Sequence, residues 1–254
     1  EMYSCGFLYL SMINFFKKIR KKLLSKNKFS NYLIYAIGEI ILVVIGILIA
    51  LQINNWNEYK KKERFELSLL KEMKKNLKAD IKDIEVNIKY NERSIKSANI
   101  ILSSFENNIP FNDSLNKHYG KVPMVPKFLM SENAYNSMNN EGIRIIKNDS
   151  LRDVITFHYE SRTSFLKEWN NSEWKTQMQD HRTLYRKFFK NFDFWADLVP
   201  NNYEELSKNK EYINYLNNRI GWLKPTIRMY KGVIKSSEQL INLIEIELQK
   251  RENK

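Results

Sequence analysis

Glu39 occupies the most demanding place in this sequence. It lies inside an apolar run, residues 32–51, which reads YLIYAIGEIILVVIGILIAL and holds no other charged side chain. At about 1.5 Å per residue, Glu39 would lie about 10 Å from the start of a helix formed by this run. A carboxylate at that depth in a membrane costs several kcal/mol unless it is paired, protonated or able to snorkel. The chemistry open to it is a bond to another helix, or the carriage of a proton or ion.

Three residues share a helical face with Glu39. Val43, Gly46 and Ala50 follow it at steps of four, three and four residues. Gly46 and Ala50 form a small-x-x-x-small pair, which lets two helices approach closely. We interpret Glu39, Val43, Gly46 and Ala50 as a transmembrane interface. Two alternatives stay open: Glu39 carries a proton or ion, or it is protonated or snorkelling and the small residues are incidental.

Other residues suited to catalysis or metal binding are few and poorly spaced. The three histidines, His118, His158 and His181, include no i,i+4 pair and no HExxH pattern. His158 and His181 fall on apolar helix faces, so we expect them to be core histidines. There is no Walker loop, no GxGxxG and no GxSxG motif, and the single cysteine, Cys5, permits neither a disulfide nor a thiol-based zinc site. We therefore expect no enzyme activity, no metal and no cofactor.

The length of the apolar run predicts one transmembrane helix over residues 32–53. Twenty residues cover about 30 Å, the thickness of a bilayer's hydrocarbon core. No small-x-small cleavage site follows the run, which predicts an uncleaved signal anchor. Residues 1–31 are basic, and the positive-inside rule then predicts a cytoplasmic N-terminus; Met12 is a more natural start than Glu1. We expect anionic lipid to contact the basic residues Lys17, Lys18, Arg20, Lys21, Lys22, Lys26 and Lys28.

The amino-acid sequence in and around the apolar run resembles that of a known family. The string FSNYLIYAIGEIILVVIGILIALQINNWNE, preceded by FFKKIRKKLL, is similar to the N-terminal signature of a family of uncharacterised bacterial single-span membrane proteins. The specific part of the match covers about residues 12–60. A looser part rests on SENAYNSMNNEGIRIIKNDSLRDVITFHYE. The resemblance implies a bacterial membrane protein with a helical extracytoplasmic domain, and it implies no activity.

Two stretches after the anchor carry apolar residues at alternating steps of three and four, the spacing of a coiled-coil seam. Because they lie near the two ends of the domain, we expect them to pair as an antiparallel stem, 57–106 with 203–251. Pro225 is expected to kink or break the second helix. The first seam is Leu77, Ile81, Ile84, Ile88, Asn91, Ile95, Ala98, Leu102 and Phe105, and the second is Ile213, Leu216, Ile220, Leu223, Ile227, Tyr230, Ile234, Ser237, Ile241, Ile244 and Leu248.

The residues between the two seams, 107–202, are predicted to form a distal helical cap. Prolines and Gly120 predict a loop over 107–130 with at most a short helix near 113–118. Helices are predicted over 131–140, stopped by Gly142, then over about 150–170, and again from about 172. The apolar face of the second of these is Leu151, Ile155, His158 or Tyr159, Phe165 and Trp169. An aromatic cluster is either core or an exposed partner-binding patch: Phe188, Phe189, Phe192, Phe194 and Trp195.

The net charge of the chain and its distribution limit the classes of partner that we expect. The net charge is +13, of which residues 1–56 supply +5, from seven basic and two acidic residues, so +8 remains in the domain. Lysines and glutamates alternate on its helical faces, which indicates a solvated surface, and we expect no nucleic-acid binding. The expected partners are the lipid bilayer and either a second copy of the chain or another membrane protein.

These patterns together predict an all-α protein: one transmembrane helix followed by an antiparallel coiled-coil stem and a distal helical bundle. Residues 54–254 are expected to form a periplasmic domain of a bacterial inner-membrane protein. Its predicted function is that of a membrane-anchored interaction module, with a scaffold, assembly or sensor-like role. The alternatives are an accessory subunit of an ion- or proton-coupled complex that uses Glu39 and, third, a membrane-tethered hydrolase.

Overall fold

The computed structural model describes residues 29–124, 126–191 and 196–252. Every regular element within these ranges is helical, which confirms the all-α prediction. The chain divides into two compact units, residues 1–63 and 64–254, and helix α1 has residues in both. The helices are α1 (Phe29–Glu106), α2 (Asn116–Lys121), α3 (Asn133–Glu141), α4 (Asp149–Thr156), a π-helical segment (Phe157–Thr163), α5 (Ser164–Phe188), α6 (Tyr203–Lys208) and α7 (Lys210–Glu252), with short 3₁₀ turns at Asp113–Leu115 and Ile143–Ile145.

In the first unit, α1 carries the apolar run. Within the described residues, α1 is the one helix that is long and apolar enough to cross a membrane, and no part of its most apolar window is buried. Large apolar side chains such as Ile34 and Leu42 are 67% and 65% exposed. This first part of α1 therefore presents its apolar surface outwards.

In the second unit, α1 and α7 run antiparallel, as predicted. Leu70, near the start of the part of α1 that belongs to this unit, shares a core cluster with Leu248, near the end of α7. Ile88 clusters with Ile227 further along. Phe105 clusters with Tyr212, where α1 ends and α7 begins. The order of these three clusters reverses between the two helices, which fixes their relative direction.

The segments between the two long helices pack along the whole pair, whereas the sequence placed them at its far end. Met138 and Ile155 join the cluster around Leu70, Leu166 joins the middle cluster, and Tyr185 joins the cluster around Phe105. The reason is that the long helices bury more than one seam. Small or polar side chains beside the predicted seam are also buried, among them Asn87, Ser94 and Ser97.

One helical segment runs from Asp149 to Phe188, where two helices divided near residue 170 were predicted. Its middle part, Phe157–Thr163, is π-helical. A π turn holds more residues than an α turn, so it rotates the residues that follow it. Phe165, predicted on the apolar face, is accordingly 60% exposed, and its neighbour Leu166 is 1% exposed.

Local residue chemistry explains several element ends. The Asn148 side chain caps α4 by accepting from the Leu151 N–H at 3.1 Å, and Gly142, with φ of +91°, ends α3. Pro225 does not break α7, which continues to Glu252. Proline removes a single N–H from the helix, and the carbonyl that loses this donor belongs to Gly221, an exposed residue that water can reach.

Candidate functional site

The predicted transmembrane interface lies on the exposed part of α1. Val43, Gly46 and Ala50 are exposed and Glu39 is half-exposed. A Cβ atom added to Gly46 would meet nothing within 4 Å, so this face has room for a neighbouring helix. The seven basic residues predicted to contact lipid lie outside the described residues. The interface and the lipid contacts therefore stay predictions.

The aromatic cluster falls partly in the core. Phe188 and Phe189 are 7% and 4% exposed and belong to the cluster around Tyr185 and Tyr212. Phe192, Phe194 and Trp195 lie outside the described residues. The two described members therefore follow the core interpretation of this cluster.

His158 and His181 are core histidines, as predicted, and both are fully buried. His158 Nδ1 lies 2.9 Å from Ser236 Oγ, and His181 Nδ1 is hydrogen-bonded to the Tyr215 hydroxyl. Burial lowers the pKa of His158 to about 4, with a smaller contribution from Arg162. Burial also holds the pKa of His181 well below its usual value, helped by the charge of Arg219. Both imidazoles are therefore neutral at pH 7.

Two serine–histidine pairs were not expected from the sequence. Besides Ser236 with His158, Ser97 Oγ lies 3.1 Å from Nδ1 of His118. A catalytic pair needs a third group that orients the imidazole. No carboxylate in the described parts of the chain is hydrogen-bonded to either ring, and His158 Nε2 has no partner there. The pKa of each imidazole is lowered by burial, which makes both weak bases.

The most unusual buried group is Arg219 of α7, 2% exposed. Its Nε donates to the Val122 carbonyl at 3.2 Å, its Nη1 donates to Gln177 Oε1 at 3.1 Å, and its Nη2 donates to the Met124 carbonyl. Among the described residues no carboxylate lies within 4.0 Å of the guanidinium. Burial lowers its pKa, yet an arginine stays charged in a protein. The domain thus encloses a positive charge bound by neutral acceptors.

Arg219 has a structural task that explains part of this arrangement. Val122 is the residue at the C-terminal end of α2, and its carbonyl also accepts from Ser94 Oγ of α1 at 2.7 Å. The last carbonyls of a helix lack partners within the helix, and basic side chains often supply them. Ser94 and Arg219 therefore fasten the end of α2 to both long helices.

Arg219 also lines a groove of about 430 Å³ between α5 and α7, which we call the Trp222 groove. Its walls are mainly amides, hydroxyls and carboxylates. Burial raises the pKa of Glu173, against the opposing effects of Gln177 and of the charge on Arg219. The main polar and aromatic lining residues are Glu173, Gln177, Asp180, Asn214, Asn218 and Trp222.

A chamber of about 30 Å³ adjoins the groove and shares Glu173, Gln177, Arg219 and Trp222 with it. We call it the Asn170 chamber. Three tryptophans help to enclose it: Trp169, Trp174 and Trp222. The rings of Trp169 and Trp222 lie 4.7 Å apart at 52°. Trp169 Nε1 donates to Thr226 Oγ1 at 3.0 Å, which holds this pair in place.

Sequence reasoning missed Arg219, although a weak signal exists. Tyr212, Tyr215 and Arg219 recur at steps of three and four residues beside the predicted seam, and all three are buried. A basic residue continuing a tyrosine face indicates a buried guanidinium only if further helices cover that face. The predicted distal cap leaves that face uncovered.

No group of three or more His, Cys, Asp or Glu side chains in the described ranges is arranged to hold a metal ion. Comparison with curated proteins and with solved structures gave no match. A family profile does match, over residues 39–197, which is more than half of the chain. The chain belongs to DUF6090, a family of unknown function.

Proposed function

We propose that the protein is a single-pass membrane protein whose helical domain works by binding and not by catalysis. The observation that supports a membrane anchor is the exposure of the apolar part of α1, since no residue of its most apolar window is buried. Contact of this surface with water would be unfavourable, whereas the acyl chains of a bilayer solvate it. Helix geometry satisfies the backbone groups internally, as a membrane requires.

The orientation follows from charge. Seven basic residues precede the apolar run between Lys17 and Lys28, with no acidic residue among them. After the run, Lys60 and Lys61 are paired with Glu63 and Glu58, so the flanking charge is more balanced. The positive-inside rule then places the N-terminus in the cytoplasm and the helical domain in the periplasm of a bacterial cell.

Binding is supported by the polar centre of the domain. The serine–histidine pairs lack an orienting acid among the described residues. By contrast, the buried guanidinium of Arg219 stands beside a groove with many hydrogen-bonding groups. A mostly preformed cleft with convergent polar groups is what a ligand site requires.

Within the membrane, we propose that the face formed by Glu39, Val43, Gly46 and Ala50 contacts a second copy of the chain or another membrane protein. The open space at Gly46 supports close approach. The alternative, in which Glu39 carries a proton or ion, is separated by Glu39→Gln. An amide can bond across a helix contact but cannot titrate.

Reporter fusions after Lys254 test the anchor and its orientation. A reporter that works only outside the cytoplasm should be active, and one that works only inside should be silent. The matched control replaces the seven basic residues of 17–28 with glutamine, which should weaken or invert this preference. Activity of the cytoplasmic reporter in the parent would refute the orientation, and fractionation of the chain as a soluble protein would refute the anchor.

A further inference from the structure

We propose that the Trp222 groove and the Asn170 chamber together bind a neutral carbohydrate, with a sugar ring against Trp222 and one hydroxyl group in the chamber. This inference rests on the proposal that the domain works by binding. It does not depend on the orientation of the chain in the membrane. Four features of the site support it: its charge, its hydrogen-bonding groups, its aromatic surface and the size of the chamber.

The charge of the groove disfavours strongly charged ligands. A phosphate or polycarboxylate would meet the carboxylates of Glu173 and Asp180, and a polyamine would meet the buried charge of Arg219. A third acid at the rim, Glu211, is already paired with Lys187 at 2.5 Å. Charges of both signs within one groove fit a polar ligand without net charge.

The hydrogen-bonding groups fit hydroxyls. Asn214 and Asn218 each offer both donor and acceptor atoms through their amides, whereas Glu173 and Asp180 only accept when ionised. Gln177 Oε1 already accepts from Arg219 Nη1. A ligand that satisfies such a set must donate and accept at several neighbouring atoms. Adjacent hydroxyl groups do this, because each carries one donor and two acceptor lone pairs.

Trp222 supplies a flat apolar surface beside these groups. It is 38% exposed, and its contact with Trp169 limits its movement. The face of an aromatic ring is electron-rich. The C–H bonds on one side of a sugar ring carry small positive partial charges and form a flat surface, so they stack on an indole while the hydroxyls point to the amides.

The Asn170 chamber is suited to a single hydroxyl group. Asn170 is 8% exposed, and its Oδ1 accepts from the Tyr230 hydroxyl at 3.3 Å. Its Nδ2 has no acceptor among the described residues, and Oε2 of Glu173 has no donor there. Both residues line the chamber. One donor and one acceptor in about 30 Å³ match a single hydroxyl, which is close to a water molecule in size.

Calorimetry and tryptophan fluorescence of the full chain test the proposal. The chain should be kept in a detergent without a sugar headgroup, because a maltoside would compete. The probes are cellotriose and chitotriose, with inorganic phosphate and spermidine as charged controls. We expect saturable binding of at least one trimer, a change in tryptophan emission, and no competition by phosphate or spermidine.

Variants locate the binding. Trp222→Ala and Asn218→Ala should each weaken it at least tenfold, and Trp222→Phe should keep part of it because a ring face remains. Asn99→Ala provides the matched control, since Asn99 lines a separate groove that has no aromatic lining residue. Asn218 is exposed, so its variant should fold even if Trp222→Ala does not; circular dichroism verifies this.

The outcomes separate this proposal from the broader one. The carbohydrate site would be overturned by any of three results. These are no binding of either trimer, binding that is unchanged in both the Asn218→Ala and the Trp222→Phe variants, or displacement of a bound trimer by phosphate. None of these results would alter the reporter outcome that tests the anchor. Cosedimentation with insoluble peptidoglycan then distinguishes the source: binding to both forms indicates a cell-wall glycan, and binding to trimers alone indicates a free oligosaccharide.

Discussion

The two parts of helix α1 differ in which side chains they expose and which they bury. Between residues 33 and 53, large apolar side chains are exposed, as at Ile34 and Leu42. After residue 64, polar side chains are buried, with Glu66 at 0%, Asp80 at 5% and Asn91 at 2% exposure. The difference teaches that hydropathy reports the surroundings of a helix, not its geometry. The exposed apolar surface of the first part fits the proposed lipid environment, and the buried polar groups of the second part need hydrogen-bond partners.

Removing a buried polar group should have the largest effect. Arg219→Ala would leave the Met124 carbonyl and the Gln177 amide oxygen without this donor, would remove one of the two donors to the Val122 carbonyl, and would open a cavity. We expect a loss of about 3–5 kcal/mol in the free energy of unfolding of the domain. Urea unfolding followed by tryptophan fluorescence measures it.

Arg228→Ala is the matched control, since Arg228 is an exposed residue of the same helix and its loss should cost less than about 0.5 kcal/mol. Arg219→Met keeps much of the volume but no donor. Equal stability of Arg219→Met and the parent would show that these hydrogen bonds do not hold the end of α2.

The free energy of unfolding of the helical domain, residues 64–254, should also depend on pH. The pKa of His158 falls to about 4 in the folded chain, against about 6.5 when unfolded. Between these values the unfolded state binds the proton more tightly, so stability is complete above about pH 6.5 and is lost as pH falls towards 4. His158 alone accounts for about 3 kcal/mol, and His181 acts in the same direction.

Urea midpoints of the parent and of His158→Gln at pH 7.5, 6 and 5 measure this contribution. The variant should lose less stability than the parent over that range. Comparing the variant with the parent cancels the contributions of other titrating groups. One of these is Asp80, whose pKa is raised by burial, so its contribution to stability increases as pH falls and opposes that of His158. Parallel pH profiles of parent and variant would contradict the assignment of His158 as a buried neutral group.

These residues show how far the sequence could lead. Period-three-and-four spacing located both long helices and their antiparallel pairing, because apolar spacing is a local property. The positions of 107–202 could not be predicted in this way. They depend on polar residues such as Ser94 and Asp80, which serve loops far along the chain: Ser94 bonds the Val122 carbonyl, and Asp80 accepts from the Ser131 N–H.

The candidate site was beyond the sequence for the same reason. Arg219, Gln177 and Asn170 come together only because α5 lies beside α7, and the π-helical segment decides which residues of α5 face it. Single-sequence patterns do not report a π turn, since it leaves no distinctive composition. Glu39 and the three residues on its helical face could be identified from the sequence, because they lie in one continuous apolar run.

A smaller effect is expected where α1 begins to bury polar groups. Glu66 Oε1 accepts from the Lys147 N–H at 2.8 Å and lies 3.7 Å from Arg251 Nη2. Glu66→Ala should cost about 2 kcal/mol, the scale for removing a buried hydrogen-bond partner. Glu72→Ala, at an exposed position of the same helix, is the control in the same urea assay. If both variants match the parent, Glu66 does not stabilise this end of the domain.

Substitutions in the exposed apolar part of α1, residues 33–53, should give the smallest effect. Gly46→Ile should weaken helix association in the membrane by about 1–2 kcal/mol, because a larger side chain separates the backbones. Glu39→Gln should preserve association, and Glu39→Leu should weaken it. A transmembrane association assay on the full chain measures all three. If Gly46→Ile and Glu39→Leu both associate like the parent, then this face does not join two copies of the chain.

The π-helical segment constrains how this domain can change in evolution. Each residue of an α-helix advances the chain by about 100° around its axis. Deleting one residue from Phe157–Thr163 would restore an ordinary α-helix, and because the wider π turn absorbs about one extra residue, the side chains after it would keep nearly the same direction. A deletion between Ser164 and Gln179 has no such turn to absorb it, and it would move His181, Tyr185 and Phe188 off the core together. We therefore expect a one-residue length difference among relatives between Asp149 and Phe188 to fall within Phe157–Thr163.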